Sequence, residues 1–163
     1  MERPGKDEYY LNIAAEVAKR STCLRRSFGA VIVKDDQIIS TGYCGAPRGS
    51  INCIDLGHCP RQEAGVPAGE RYELCRSVHA EMNAIIHASR QEMLGATLYL
   101  ACLNPHTGGR IEGTRPCKLC TRMIINAGIA LVVTGPGKNN RYAVEKWVAE
   151  DRAEWTPENM EGY

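Results

Sequence analysis

Two predicted helices begin with side chains that hold metal ions, and each helix runs into a strand. His79-Ala80-Glu81 opens the helical stretch Val78 to Ser89, with Met82, Ile85, Ile86 and Ala88 on its apolar side. Pro116-Cys117-Lys118-Leu119-Cys120 opens a second helix, Cys117 to Ala127, which Gly128 stops. The strands that follow are Ala96 to Ala101 and Ile129 to Thr134. A lone C-x-x-C is open to a redox pair, half a structural zinc site or chance, and a lone H-x-E says less. Together, at two helix starts, they constrain the chain far more than either does alone.

The remaining segments complete an α/β pattern. Lys6 to Lys19 reads as a helix, with Leu11, Ala14, Ala15 and Ala18 at helical spacing. Gly29 to Val33 and Gln37 to Tyr43 flank the polar turn Lys34-Asp35-Asp36 and read as a hairpin. Arg141 to Asp151 reads as a last helix, and no strand is evident after Thr134. Strands joined by helices imply a mixed sheet of four to five strands covered by helices on both faces, a three-layer α/β/α fold. There is no internal repeat and no low-complexity segment, and the 163 residues suit a single domain.

Between these elements, Cys44 to Arg76 loses its periodicity and is rich in Gly and Pro. A loop of about 30 residues without structure of its own is unusual in a compact domain. It contains Cys44, Cys53, Cys59 and Cys75, so a metal is the natural means of ordering it. The chain has eight cysteines in all. Its first ten residues carry five charged side chains and no apolar stretch of the secretory kind, so the expected compartment is the cytoplasm. There, cysteines serve metals or catalysis more often than disulfides. No run is long and apolar enough to suggest a membrane span. Twenty basic and nineteen acidic residues give a net charge of +1, which speaks against nucleic-acid binding by bulk charge. From Glu145 onward the chain is acidic, leaving a mildly basic body that suits a small anionic nucleotide better than a long nucleic acid.

One imidazole and two thiolates suit Zn²⁺, and three protein ligands leave a fourth tetrahedral position for water. Cys117 and Cys120 lie in the first turn of a helix, where free backbone N–H groups favour thiolates. Glu81 is two residues from His79, about 200° around a helix. That is a poor place for a fourth ligand and a good one for a carboxylate that handles the protons of a metal-activated water.

H-x-E followed by P-C-x-x-C resembles the signature of zinc-dependent nucleobase deaminases. The hairpin GAVIVKDDQIISTGYCGAPRG, the helix HAEMNAII, the strand GATLYL and the run PCKLCTRMIINAGI are similar to the cytidine and deoxycytidylate deaminase family, and to its deoxycytidylate branch most of all. The likeness covers about residues 7–135. It implies hydrolytic deamination of dCMP to dUMP, with release of ammonia. His79, Cys117 and Cys120 would hold the catalytic Zn²⁺, and Glu81 would shuttle protons while water attacks C4 of the cytosine. It also implies a sheet of five strands and a homo-oligomer, often a hexamer.

Further roles come from the same resemblance. A second, structural zinc would draw on Cys23, Cys53 and Cys75, with Cys59 or His58 as the fourth ligand. Substrate contacts would include Ala80, the position of Cys44, and Arg25 or Arg26 for the phosphate. Arg48 and Arg90 are further phosphate candidates, since arginine pairs bidentately with such groups. In the family's pattern, Asn occupies position 44 against the sugar, and cysteine lacks the amide's donor and acceptor set. The Gly42–Gly49 loop, with Gly42, Gly45, Arg48 and Gly49, resembles a segment that binds a regulatory deoxynucleoside triphosphate with Mg²⁺. Residues 104–115 form a longer link to P-C-x-x-C than many relatives have, open to reading as a lid, an oligomer contact or a surface insertion without function. Cys102 reads as a small buried apolar residue. Three rival functions stand beside this one: deamination of another cytosine nucleotide or nucleoside, deamination of adenosine in transfer RNA, and a zinc module that mediates interactions without catalysis.

Overall fold

The computed structural model of the chain describes residues 1–137 and 140–156. The end of the acidic C-terminal stretch, residues 157–163, lies outside the described residues. In chain order the elements are α1 (Lys6–Ala18), β1 (Ser27–Lys34), β2 (Gln37–Tyr43), α2 (Cys53–Leu56), α3 (Pro60–Glu63), a 3₁₀ turn (Tyr72–Leu74), α4 (Ala80–Ile86), α5 (Arg90–Met93), β3 (Thr97–Leu103), α6 (Lys118–Ala127), β4 (Leu131–Gly135), β5 (Arg141–Ala143) and α7 (Val144–Glu154).

One five-stranded sheet runs through the molecule in the order β2-β1-β3-β4-β5. β3 and β4 are parallel, with α6 in the crossover between them, and the other neighbours are antiparallel. The β1–β2 turn places Asp35 and Asp36 at φ 50 and 60. Two such residues in succession give the twist that a two-residue hairpin needs. The turn is tied to α1 by Lys6 on the Asp36 carboxylate at 2.6 Å and by Tyr10, whose hydroxyl donates to the Asp36 carbonyl at 3.0 Å.

The apolar runs of the central strands follow from burial on both faces. Side chains alternate across a strand. Ala30, Ile32, Leu98, Leu100 and Val132 pack with α4 and α6, together with Ile124 of α6 and Trp147 of α7. Val31, Val33, Tyr99, Ala101 and Val133 face the other way, onto Leu11, Ala14 and Ala18 of α1. Cys102 is fully buried, and burial pushes its thiol up to about 12, as befits an inert apolar cysteine.

The structure differs from the sequence reading in two places. A fifth strand follows Thr134: Arg141, Tyr142 and Ala143 pair with Val133, Val132 and Leu131. Three residues are too few to show a period of two, and an edge strand buries only part of each side chain, so no alternation marks it. The segment 44–76 is also less bare than its composition suggests, since it holds α2, α3 and the 3₁₀ turn.

Close backbone approaches fix the helices to the sheet. A Cβ at Gly29 would overlap the backbone of Ala14 and Ala18, and a Cβ at Gly42 would overlap Ala80 O and Ala84 N. Gly42 therefore lets α4 lie directly on β2. Gly42→Ala should lower stability by about 1–3 kcal/mol through overpacking. A thermal denaturation midpoint several degrees lower is the expected result, and an unchanged midpoint would contradict the contact.

Candidate active site

The ends of three elements meet at one place. His79 is the N-cap residue of α4 and Cys117 that of α6. β3 ends beside them at Leu103, so that Asn104, Pro105 and His106 line the same cavity. The crossover between parallel strands thus delivers α6 to the carboxyl end of β3, the usual position for a ligand site in such sheets.

His79 Nδ1 lies 3.4 Å from the sulfur of Cys117 and 3.4 Å from that of Cys120. Among the described residues these three form the group of potential ligands whose atoms all lie within 4.8 Å of one another. The backbone N–H of Cys120 donates to Cys117 Sγ at 3.5 Å, so the first turn of α6 stabilises sulfur charge. The three groups share protons strongly. The hydrogen bond with Cys120, and then His79, hold the Cys117 thiol down to about 4. Cys117, and then Cys75, hold the imidazole up to about 10. Cys120 gives up the charge to Cys117 and is itself pushed up. This is a set of donors poised to exchange protons for a cation, and one nitrogen with two sulfurs suits zinc.

Glu81 stands outside that three-atom group, as its place on the helix implies. It is 4% exposed, and burial pushes its carboxyl up, opposed by its own backbone N–H and by His79. Tyr72 packs its ring edge-on against His79, with centroids 5.1 Å apart.

The cavity has a volume of about 530 Å³, within the range of small-molecule sites. Ala80, Arg25, Arg26 and Cys44 line it, as do Cys23, Cys53, Cys59 and Cys75. These last four do not gather within ligand distance of one another. Cys23 Sγ accepts from the Arg25 N–H at 3.5 Å; the neighbouring Cys44 draws the Cys23 thiol down to about 5, and His79 draws the Cys75 thiol down. His58 turns away, towards the Leu56 carbonyl at 3.2 Å and Glu63 at 3.8 Å. Cys44 sulfur is buried on Ser21 Oγ at 2.9 Å and accepts from the Phe28 N–H at 3.3 Å. It is thus engaged with the protein's own polar groups.

Other expected residues fall elsewhere. Arg48 donates to His87 at 3.0 Å and Arg90 to the Asn126 carbonyl at 3.0 Å, and neither lines the cavity. Gly42 is small because α4 packs on it, and Gly45 approaches the Thr22 side chain. Gly49 adopts φ +80, a turn conformation that favours glycine. The two ends of the 104–115 segment line the cavity through Asn104, Pro105, His106 and Arg115, while its middle is pinned by Arg110 to Asn12 and by a bridge to Leu103. The sequence reading missed Arg61, Tyr72, Arg76 and Arg115 as lining residues. Their only signal was position in or beside segments without periodicity.

Residues 4–136 match the model of the cytidine and deoxycytidylate deaminase zinc-binding region. The deoxycytidylate deaminase of Mycobacterium phage D29 is 41% identical, covering 82% of this chain and 96% of the phage protein. That of Schizosaccharomyces pombe is 38% identical over 80% of this chain, which spans 37% of the yeast protein's length. The dCMP deaminase of cyanophage S-TIM5, solved in complex with dCMP and dUMP, superposes with a TM-score of 0.56 at 25% identity, covering 82% of this chain and 83% of that one.

The donor geometry sets an expectation for the metal. Cys120→Ser should lose zinc from this site, since a hydroxyl cannot replace the buried thiolate, while Glu81→Gln should keep it. Metal analysis of the purified variants is the check, and a Glu81→Gln protein without zinc would make Glu81 a ligand.

Proposed function

Since the chain belongs to the cytidine and deoxycytidylate deaminase family, we propose that it hydrolyses dCMP to dUMP and ammonia. The observation that carries this reading is the buried carboxylate of Glu81 beside, and outside, a three-ligand set. A purely structural zinc site has no use for such a group.

His79, Cys117 and Cys120 would hold the metal. Bound there, zinc would supply a polarised water next to the ring carbon that carries the amine. Glu81 takes a proton from the attacking water and gives it to the ring nitrogen. It takes the second proton of that water as the carbonyl forms, and delivers it to the departing amine. Burial raises this carboxyl, so it takes up a proton more readily than a solvated one, which suits a group that must accept protons as well as return them. The cavity walls would exclude bulk water while Ala80, at the start of α4, lies against the base.

Finer parts of the reading go with it. The enzyme is a cytoplasmic homo-oligomer, and Ile51, Ile54 and Ile86 are apolar side chains half or more exposed on its surface. No described helix is long and apolar enough to cross a membrane. The Gly42–Gly49 loop, outside the cavity at Arg48, would receive a regulatory triphosphate with Mg²⁺. A structural zinc would require Cys23, Cys53, Cys59 and Cys75 to draw together from their present places around the cavity. Its support is that all four line one cavity, and that Cys53 is pushed up by burial and then by the other three sulfurs. Cys59 is the better fourth ligand, because His58 faces outward.

Three measurements test these statements. Ammonia release should be highest with dCMP in a panel that also holds cytidine, deoxycytidine, dCTP and an adenosine-containing RNA, each with and without added dCTP or dTTP. Activity on the RNA but not on dCMP would overturn the choice of substrate. Glu81→Gln should lower kcat by about 10²–10⁴-fold, and near-normal turnover would remove Glu81 from the mechanism. Two zinc ions per chain are expected, and one per chain would remove the structural site.

A further inference from the structure

Contacts at one ring atom hold a metal-ligand imidazole in place but leave its plane free to tilt. His79 is in this situation. It is the N-cap residue of α4, and its side chain makes no capping hydrogen bond there. Its Nδ1 faces the sulfurs of Cys117 and Cys120, both at 3.4 Å. A metal-bound histidine ordinarily has its ring orientation fixed from outside, by a partner beyond the ligand atoms. The 3₁₀ turn Tyr72–Leu74 brings such a partner to the ring.

Tyr72 opens that turn and sets its ring against His79, with centroids 5.1 Å apart and planes at 75°. This edge-to-face contact favours one angle between the two rings. Tyr72 is itself fastened. The guanidinium of Arg61 lies over its ring at 4.6 Å from the centroid. Arg61 is 7% exposed, and its Nη2 donates to the carbonyls of Pro67 at 3.2 Å and Glu70 at 2.6 Å. A buried guanidinium tied to two carbonyls is a firm backing for the ring. The backbone also departs from its ordinary range at this point. Arg71, just before Tyr72, adopts φ 49 and ψ 51, a left-handed conformation that a residue with a Cβ adopts at a cost. Such strain persists where the surrounding structure over-determines it, and it gathers at functional sites.

We infer that Tyr72 is a positioning residue for the metal centre. Its ring, backed by Arg61, sets the plane of the His79 imidazole so that Nδ1 points at the ion that Cys117 and Cys120 would share. The inference rests on the zinc-site reading above. An imidazole oriented beforehand loses less freedom when the metal binds, so the site binds more tightly. Arg61 and Tyr72 both belong to the cysteine-containing segment 44–76. The folding of that segment therefore sets the metal affinity of a site whose ligands all lie outside it. The role belongs to the aromatic ring, because the contact is ring to ring. Cys75 is the rival for the same task, since it follows the turn and His79 draws its thiol down.

The test measures zinc affinity by competition with a chromophoric chelator, and the visible bands of the Co²⁺-substituted protein, in wild type, Tyr72→Phe, Tyr72→Leu and Tyr72→Met. Cys120→Ser protein gives the share of metal bound elsewhere in the chain. Tyr72→Phe keeps the ring and should match wild type. Tyr72→Leu and Tyr72→Met should bind zinc at this site about 10- to 100-fold more weakly, the range for a lost partner of a metal-bound histidine. Their cobalt bands should shift, because those bands follow ligand geometry, while circular dichroism shows an intact fold. Two apolar replacements of different shape keep the test valid if one fails to fold. With zinc saturating, kcat for dCMP should fall more than KM rises. Unchanged zinc affinity and cobalt bands in the Leu and Met variants would overturn the proposal and pass the task to Cys75. A raised KM with unchanged zinc affinity would also overturn it, making Tyr72 a wall of the substrate site. A wild type that binds zinc here and deaminates nothing would remove the deaminase reading, and the affinity series would still decide the role of Tyr72. A wild type without zinc at His79, Cys117 and Cys120 would overturn both.

Discussion

The approach of one imidazole to two sulfurs is the constraint on which the site depends. His79 Nδ1 is 3.4 Å from both Cys117 and Cys120, yet His79 belongs to α4 and the cysteines to α6. The two helices must lie side by side with their N-termini level. Small residues permit this: Ala80 and Ala84 on α4, and Cys120 on α6, are fully buried in one core with Leu98, Leu100 and Val132 of the sheet. Gly42 completes the fit by removing the side chain that would lift α4 from β2. The metal-ligand set is therefore a product of packing across the sheet, and Glu81, in the first turn of α4, is buried by the same packing.

The opposite face does the supporting work. α1 covers it with Leu11, Ala14 and Ala18 against Val31, Val33, Tyr99 and Val133. Its first turn is fastened at both ends of the sheet, by Lys6 on Asp36 of the β1–β2 turn and by Asp7, which accepts from Tyr99 of β3 and pairs with Arg141 of β5. With both faces covered, the central strands can carry nearly continuous apolar runs. The carboxyl end of β3 then has a rigid base from which Asn104, Pro105 and His106 reach the cavity.

Much of this was legible because it is periodic or local. Helical spacing marked α1, α4 and α6, and apolar runs marked β1, β3 and β4. The pairing of H-x-E with P-C-x-x-C marked the ligands and the carboxylate. What stayed hidden had no local signature. β5 spans three residues and shows itself only by pairing with β4. Gly42 looks like part of a glycine-rich loop until α4 is seen lying on it. Arg61 and Arg76 sit among turns, where an arginine is ordinarily solvated, and only the folded segment buries Arg61 and the Nε of Arg76. Arg48 and Arg90 carry the same chemistry and turn elsewhere.

The amino-acid sequence by itself determined the kind of site: the ligand chemistry, the carboxylate placed off the ligand face, and a sheet with helices on both sides. These are properties of residue type and of spacing within one helix or strand, and short-range geometry fixes them. The tertiary structure alone decided which charges share the cavity with that site, and that Cys44 is spent on Ser21 and Phe28. It also decided that Cys23, Cys53, Cys59 and Cys75 line the cavity without closing into a ligand cluster. Those facts depend on side chains brought together from segments far apart in the chain, and on which of them lose their water when the segments pack.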